Sequence, residues 1–155
     1  MVQAIPEGLE GRIIPYLMID GATAALDFYQ RAFGAEEQYR MELPGGGIAH
    51  AEILVNGATV YLADAPDNME GDAGNPNKLG GTSVLLHQYV EDVDAVVSQA
   101  VSAGATLVRE PEDQFYGDRA AAVADPFGHQ WSLHTHIRDA SEEEVEAALA
   151  EMAAE

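Results

Sequence analysis

Three histidines and one glutamate occur in segments that are otherwise rich in apolar residues. His50 and Glu52 are two residues apart, His87 lies in a second segment and His134 in a third. Alternate side chains of a strand point to the same face, so we expect these groups to share one face of a sheet. Imidazoles and carboxylates are ligand types that suit Zn²⁺, Fe²⁺ or Ni²⁺. The same groups also fit a hydrogen-bonding pocket without a metal, and the sequence leaves both interpretations open.

Acid–base chemistry without a metal is a further interpretation of these residues. Glu52 or His50 could act as a general base, while Tyr61 or Arg119 polarises a carbonyl or phosphonate oxygen. Glu52 and Arg119 could instead form an ion pair, and Tyr61 could simply fill space. Whether the protein is an enzyme is therefore left open.

Aromatic and hydroxyl side chains extend this set of candidates. Tyr89 and Tyr116 supply aromatic surface that could stack on a planar ligand. The predicted catalytic candidates are His50, Glu52, Tyr61 and Arg119. The predicted ligand-binding residues are His50, Glu52, Tyr61, His87, Tyr89, Tyr116, Arg119, Ser132 and His134.

Charge and composition exclude several function classes. The 155 residues include 7 basic and 27 acidic side chains, a formal net charge of −20, which argues against nucleic acid and anionic membranes as partners. An anionic ligand would need a local basic group, and only six arginines are available. The absence of cysteine excludes disulfides and thiolate chemistry. No segment is long and apolar enough to span a bilayer, so we expect a cytoplasmic protein.

An internal repeat predicts the elements that position these residues. Residues 13–19 lead into a helical pattern that ends at Gly34-Ala35, and residues 84–90 lead into another that ends at Gly104-Ala105. Each copy reads as a strand, a helix and then further strands. A unit of this size cannot cover both faces of its own sheet, so the two copies should pack together. The seam between them is a natural place for a small-molecule pocket.

Two predicted hairpin turns determine which side chains lie on each face of the sheets. A two-residue turn at Asn56-Gly57 pairs Val55 with Ala58. This register places Ala51, Ile53, Val55, Val60 and Leu62 against the helix and His50, Glu52 and Tyr61 on the cavity face. A similar turn at Phe127-Gly128 places Ala122, Ala124, Trp131 and Leu133 against the helix. It places Arg119, Ala121, Val123, Gln130, Ser132 and His134 on the cavity face. Leu85, His87 and Tyr89 are assigned to the cavity face by the same alternation.

Local signals mark the ends of the helices. Thr23 is predicted to cap the first helix, and Gly34 is placed to end it. Ser141 and Glu144 have the spacing of a capping box at the start of a C-terminal helix.

Several motifs together resemble the vicinal oxygen chelate superfamily, which includes glyoxalase I, bleomycin-resistance proteins and extradiol dioxygenases. They are Ala25-Leu-Asp-Phe-Tyr-Gln-Arg-Ala-Phe-Gly-Ala35, His50-Ala-Glu-Ile53, Tyr89-Val-Glu-Asp-Val-Asp94, Phe115-Tyr-Gly-Asp-Arg119 and Asp125-Pro-Phe-Gly-His-Gln-Trp131. The last three are similar to the PhnB-like branch. The resemblance covers residues 12–136. It implies an α+β fold in which two βαβββ modules form a curved mixed sheet around a cavity, and a homodimer.

The resemblance also implies where a metal would bind. The corresponding positions are Pro15, Tyr61, Leu85 and Ser132, and none is a usual ligand for a divalent metal. We therefore expect no metal or other cofactor at these positions, and metal-independent binding or sequestration of a small molecule. The alternatives are a lyase, isomerase or dioxygenase that uses a displaced metal site or an acid–base pair, and a partner-binding module with a vestigial cavity.

The expected organisation is a single domain over residues 1–155. Module one spans residues 12–64, a linker spans 65–82, module two spans 83–136 and a C-terminal acidic helix spans 141–154.

Overall fold

The computed structural model describes residues 4–65 and 74–154. Residues 66–73 of the predicted linker lie outside the described residues. The first copy of the repeat contains β1 (Tyr16–Ile19), α1 (Ala22–Phe33), β2 (Glu36–Glu42), β3 (Ile48–Val55) and β4 (Ala58–Asp64). The second contains β5 (Leu85–Tyr89), α3 (Val93–Ala103), β6 (Thr106–Asp113), β7 (Asp118–Ala124) and β8 (Gln130–His136). A short helix α2 (Pro76–Leu79) precedes the second copy, and α4 (Glu142–Met152) follows it.

The eight strands form two four-stranded mixed sheets with the same topology. The strand order is β1-β4-β3-β2 in one sheet and β5-β8-β7-β6 in the other. In each sheet the first strand is parallel to the last, and the remaining pairs are antiparallel. The fold is therefore α+β with two βαβββ modules, as the repeat and the resemblance predict. We refer to residues 16–64 as module one and to residues 85–136 as module two.

Helix α1 forms because one side of it is apolar and its ends are capped. Its buried stripe includes Ala25, Tyr29 and Ala32, and it ends at Gly34 in the left-handed conformation, as predicted. The prediction that Thr23 caps the helix is wrong, since the N-cap residue is Gly21, without a side-chain cap.

A carboxylate from the end of β4 supplies that cap instead. Asp64 Oδ1 accepts hydrogen bonds from the backbone N–H groups of Gly21 (2.9 Å) and Ala22 (2.7 Å). Its Oδ2 accepts a third from Ile48 N at 2.6 Å. The free amides at the start of the helix are therefore satisfied by a residue that is distant in sequence.

The two modules share one apolar core. Ile53 and Leu62 of module one belong to the same buried cluster as Val123 and Leu133 of module two. The hydroxyl of Tyr29 on α1 donates a hydrogen bond of 2.7 Å to Asp125 Oδ2 in module two. Its ring also packs against Trp131, with centroids 5.7 Å apart. The modules are thus held together by apolar and polar contacts on their helix-bearing sides.

The first hairpin has the predicted register. Val55 pairs with Ala58 and Ile53 with Val60, so the apolar residues of β3 and β4 pack towards the core. His50, Glu52 and Tyr61 lie on the opposite face. Asn56 and Gly57 have φ values of 48° and 81°, the left-handed conformations that a tight two-residue turn requires.

The predicted register of the second hairpin is wrong by one residue. Asp125 N donates to the carbonyl of His129, and Ala124 pairs with Gln130, so the turn is longer than Phe127-Gly128. Asp125 Oδ1 also accepts from the backbone N–H groups of Phe127 (3.0 Å) and His129 (2.9 Å). This side-chain acceptor stabilises the longer turn.

The shift reverses the predicted faces of β7 but leaves those of β8 intact. Ala122 and Ala124 lie on the cavity face, and Arg119, Ala121 and Val123 lie on the helix face. Trp131 and Leu133 pack in the core, and Gln130, Ser132 and His134 lie on the opposite face of the sheet, as the strand parity predicts.

Helix α4 begins with the predicted capping box, in which Ser141 and Glu144 exchange side-chain and backbone hydrogen bonds. None of its side chains is buried. None of the described helices is long and apolar enough to cross a membrane.

Candidate functional site

A cavity of about 590 Å³ lies at the seam between the two modules. We call it the seam cavity. Module one and the segment before it contribute Arg12, Ile13, Ile14, Pro15, Val55, Ala58, Thr59 and Val60. Module two and the residue before it contribute Val84, Leu85, Leu86, His87, Gln88 and Trp131. The lining is mainly apolar. Of the nine predicted ligand-binding residues, only His87 is part of it, so the prediction that the others line this cavity is wrong.

Side chains that cross the seam hold β5 against module one. Gln88 Nε2 donates to the carbonyl of Val55 at 2.8 Å, and Asn56 Nδ2 donates to that of Tyr89 at 3.3 Å. His129 Nε2 lies 3.2 Å from the carbonyl oxygen of Met18. Each hairpin turn thus contacts the first strand of the other module, and these contacts help to hold the two modules together.

Asp118 organises a hydrogen-bonded cluster on the face of the module-two sheet that carries Ser132 and His134. Its side chain accepts from the Tyr89 hydroxyl (2.7 Å), His134 Nδ1 (3.0 Å) and His136 Nδ1 (2.9 Å). Asp118 is only 4% exposed, and this burial alone would raise its pKa. Hydrogen bonds from His136, Tyr89 and His134 outweigh the burial and lower the pKa to about 2. Asp118 is therefore ionised at neutral pH.

The ionised Asp118 fixes the proton positions around it. Because a carboxylate only accepts hydrogen bonds, His134 Nδ1 carries a proton, and in the neutral form of this imidazole Nε2 is an acceptor. Ser132 Oγ lies 3.1 Å from this Nε2, which gives the chain Ser132–His134–Asp118. The Ser132 hydroxyl can pass its proton to this imidazole. This is an arrangement that can support acid–base chemistry.

His136 extends the cluster towards the surface. Its Nδ1 faces Asp118, and its Nε2 lies 3.1 Å from Asp139 Oδ1. The hydrogen bonds to Asp118 and then Asp139 raise the pKa of His136. An imidazolium at this position can donate to both carboxylates.

His87 connects the cluster to the seam cavity. It is the neighbour of Ser132 in the parallel β5–β8 pair, and its ring centroid lies 4.3 Å from that of His134. Burial, followed by the nearby His134, lowers the pKa of His87. The side chain is therefore a neutral imidazole at pH 7. The Tyr116 ring stacks on His134 at 6.3 Å, so this predicted ligand-binding residue also belongs to the cluster.

A second chain of hydrogen bonds lies on the corresponding face of module one. His50 Nε2 is 3.2 Å from Glu52 Oε1, and His50 Nδ1 is 2.8 Å from the Tyr16 hydroxyl. Tyr61 packs edge-on against His50 at 4.9 Å. The predicted residues His50, Glu52 and Tyr61 are thus brought together. Sequence reasoning missed Tyr16, although its position beside Tyr61 in the parallel β1–β4 pair is implied by the strand assignment.

The candidate histidines do not converge on one metal centre. His50 and Glu52 belong to the series of hydrogen bonds in module one, whereas His87 and His134 belong to the cluster in module two. Within residues 4–65 and 74–154, no group of three or more His, Cys, Asp or Glu side chains is arranged to hold a metal ion. The alternative of a displaced metal site formed by His50, Glu52, His87 and His134 is therefore wrong for the described residues.

Strand pairing also revises the positions that the resemblance assigned to a metal. Pro15 precedes β1, and Tyr16 is the residue paired with Tyr61. In module two, His87 rather than Leu85 is paired with Ser132. The revised set contains two phenols, one imidazole and one hydroxyl, of which only His87 is a usual ligand type. These residues do not fit a divalent metal.

The predicted site role of Arg119 is inconsistent with its contacts. Arg119 Nε lies 2.6 Å from Asp94 Oδ2 on α3, and its other nitrogens contact Asp94 and Asp113 at 2.8 Å. These hydrogen bonds raise the pKa of Arg119. The predicted pairing with Glu52 and the placement of Arg119 on the cavity face are both wrong.

Comparison with known proteins agrees with this architecture. The sequence profile of the Glyoxalase/Bleomycin resistance protein/Dioxygenase superfamily matches residues 14–133. An uncharacterised protein of Mycobacterium bovis is 45% identical over 142 residues, which cover 91% of this chain and 93% of that protein. The crystal structure of TioX from Micromonospora sp. ML1 superposes with a TM-score of 0.65 at 26% identity, covering 81% of this chain and 98% of TioX.

A PhnB protein from Bacillus cereus shares the fold, with a TM-score of 0.61, 18% identity and coverage of 80% of this chain and 98% of its own. The repeat, the two βαβββ modules and the profile match over most of the chain lead to one conclusion. The chain belongs to the Glyoxalase/Bleomycin resistance protein/Dioxygenase superfamily.

Proposed function

We propose that this protein binds or sequesters a small molecule without a metal, in the manner of bleomycin-resistance proteins, and that the ligand occupies the seam cavity. The observation that carries the proposal is the cavity of about 590 Å³ between the modules, with its mainly apolar lining. This volume lies within the range of small-molecule sites. His87, Thr59 and Gln88 add a few polar groups that could orient a ligand.

Metal independence is the second part of the proposal. It is supported by the donor set formed by Tyr16, Tyr61, His87 and Ser132, which offers one imidazole as its only usual metal ligand. In module two the polar groups satisfy one another around Asp118, and in module one they satisfy one another through His50.

A thermal-shift screen with a cavity-filling variant tests the proposal. Ala58 is exposed and lines the seam cavity, so Ala58→Phe should occupy space there with little effect on the core. Ala147→Phe, on the exposed side of α4, is the matched control. Ligands should stabilise the wild type and Ala147→Phe but not Ala58→Phe. Hits that stabilise all three proteins equally, or that require an added divalent metal, would contradict the proposal.

An enzymatic role is the second candidate, and the chain Ser132–His134–Asp118 is the observation that favours it. An imidazole with a fixed tautomer beside a hydroxyl could act as a general base in a lyase or isomerase reaction. Exchange of carbon-bound protons of small oxo-acids for deuterium in D₂O, followed by NMR, tests this role. Exchange in the wild type that His134→Gln abolishes would support it, whereas equal exchange with both proteins would reject it.

Exposed apolar side chains on the sheet faces that carry His50 and His134 lead us to propose a homodimer. Tyr16, Tyr39 and Met41 lie on the His50 face of module one, and Tyr89 lies on the His134 face of module two; each is about half exposed. Clustered exposed apolar groups often mark an interface. Light scattering should give the molecular mass of a dimer. The mass of a monomer at every protein concentration in the micromolar range would reject the proposed homodimer.

A further inference from the structure

The charge of the seam cavity differs from that of the whole chain. Acidic side chains outnumber basic ones 27 to 7 in the sequence. The described lining of the seam cavity nevertheless contains no aspartate or glutamate, and Arg12 is its one residue with a permanent charge. The cavity therefore offers a positive group in a protein whose surface is strongly negative.

Arg12 also differs from most other arginines because its guanidinium has no partner among the described residues. Arg31 and Arg138 pair with neighbouring acids, as do Arg40 and Arg119. By contrast, the guanidinium of Arg12 makes no ion pair or hydrogen bond with any residue in the part of the chain that the structure describes. A guanidinium presents a planar fork of donors that matches a carboxylate. Arg12 is thus free to bind an anionic group of a ligand.

The rest of the lining is suited to an apolar body. Ile14, Pro15, Val60 and Leu86 surround the space beside Arg12. His87, on the module-two side, is a neutral imidazole because burial lowers its pKa, so it adds a hydrogen-bonding group without a charge. One cationic end and apolar walls together match an amphipathic anion.

We propose that the seam cavity takes a small carboxylate with an apolar body, and that Arg12 binds its carboxylate group. This inference rests on the proposed function, because it specifies the ligand class of the same cavity. The exposed position of Arg12 limits its effect through solvent screening. We therefore expect a contribution of roughly fivefold in affinity, at the upper end of what exposed ion pairs provide.

Three ligands of equal chain length and different head groups test the ligand class. Octanoate, octan-1-ol and octylammonium can be titrated while the fluorescence of Trp131 is followed, because Trp131 is the sole tryptophan and lines the cavity. We expect octanoate to bind roughly fivefold more tightly than octan-1-ol, and octylammonium to bind most weakly. Arg12→Gln should remove the advantage of octanoate. Arg109→Gln is the matched control, since Arg109 is also unpaired among the described residues but does not line the cavity.

The outcomes separate this inference from the proposed function. Equal binding of octanoate and octan-1-ol, both lost in Ala58→Phe, would overturn the role of Arg12 and leave the cavity as a ligand site. An octanoate preference that survives Arg12→Gln, or that disappears equally in Arg109→Gln, would also overturn it. If none of the three ligands binds at millimolar concentration, both the ligand class and this use of the cavity are rejected.

Discussion

Replacing Tyr29 by phenylalanine should weaken the contact between the two modules. The Tyr29 hydroxyl donates to Asp125 Oδ2 at 2.7 Å, and both residues are buried, with 0% and 5% exposure. Burial, together with the charge of Asp125 and its hydrogen bond, raises the pKa of Tyr29 well above its usual value, so the phenol stays protonated. The substitution removes this one donor and leaves the ring in place.

The expected loss is about 2 kcal/mol in the free energy of unfolding, because a hydrogen bond to a charged acceptor contributes about 1.5–3 kcal/mol. For a chain of this size, that loss corresponds to a decrease in Tm of about 4–8 °C. Asp125 keeps hydrogen bonds from Phe127 N, His129 N and Trp131 Nε1, which should hold the turn in place.

Urea unfolding of four proteins measures the effect and its origin. The set is the wild type, Tyr29→Phe, Asp125→Asn and the double variant, and the double-mutant cycle should give a coupling of about 1–2 kcal/mol. Tyr39→Phe is the control, since Tyr39 is about half exposed and its hydroxyl has no hydrogen-bond partner among the described residues. It should change stability by less than about 0.5 kcal/mol. A Tyr29→Phe loss no larger than that of Tyr39→Phe, or a cycle without coupling, would refute this account of the seam.

Three further predictions concern module two. The pKa of Asp118 is lowered to about 2 from a usual 3.8, which should add about 2 kcal/mol to the free energy of unfolding above pH ~4. This contribution should be lost as the pH falls towards 2. In urea unfolding measured against pH, Asp118→Asn should therefore lose less stability than the wild type between about pH 4 and about pH 2. NMR titration of the histidines should give His136 a pKa above 6.5 and His87 a pKa below it, and the reverse order would contradict the cluster. Arg119→Gln should leave ligand affinity unchanged, because Arg119 pairs with Asp94 on α3. It should cost at most about 1 kcal/mol in the free energy of unfolding, because this ion pair is partly exposed. A large loss of ligand affinity would show that Arg119 contributes to the binding site.

The two hairpins show which parts of the fold can be predicted from sequence. At Asn56-Gly57 a turn of known type joins strands in which apolar and polar residues alternate, and these two signals fix one register. The second hairpin lacks both signals. Residues 120–124 are four alanines and one valine, which do not distinguish the faces, and the turn length depends on hydrogen bonds to the Asp125 side chain.

The candidate site was predictable only in part for a similar reason. Strand parity correctly grouped His50 with Glu52 and Tyr61, and His87 with Ser132 and His134. It could not show that these groups form two separate clusters, because their separation depends on how the two sheets pack. Asp118 was missed because it acts through Tyr89, His134 and His136, which are distant from it in sequence, and these contacts are not visible in local sequence.

The duplicated architecture gives each module its own hydrogen-bonded chain. Glu52–His50–Tyr16 in module one and Asp118–His134–Ser132 in module two both run from a carboxylate through an imidazole to a hydroxyl. Satisfying these polar groups internally keeps them ordered, and in module two it allows Asp118, Ser132 and His134 to be buried. The seam cavity lies between the modules and has a different, mainly apolar character.

Ligand binding before and after removal of metal tests the central claim most directly. The affinity of a ligand for the seam cavity can be measured through Trp131 fluorescence, with protein that carries no His tag, before and after exhaustive chelation and with metal content determined in parallel. We predict the same affinity in both samples, and its loss in Ala58→Phe. Binding that disappears on chelation and returns with a stoichiometric divalent metal would contradict the account.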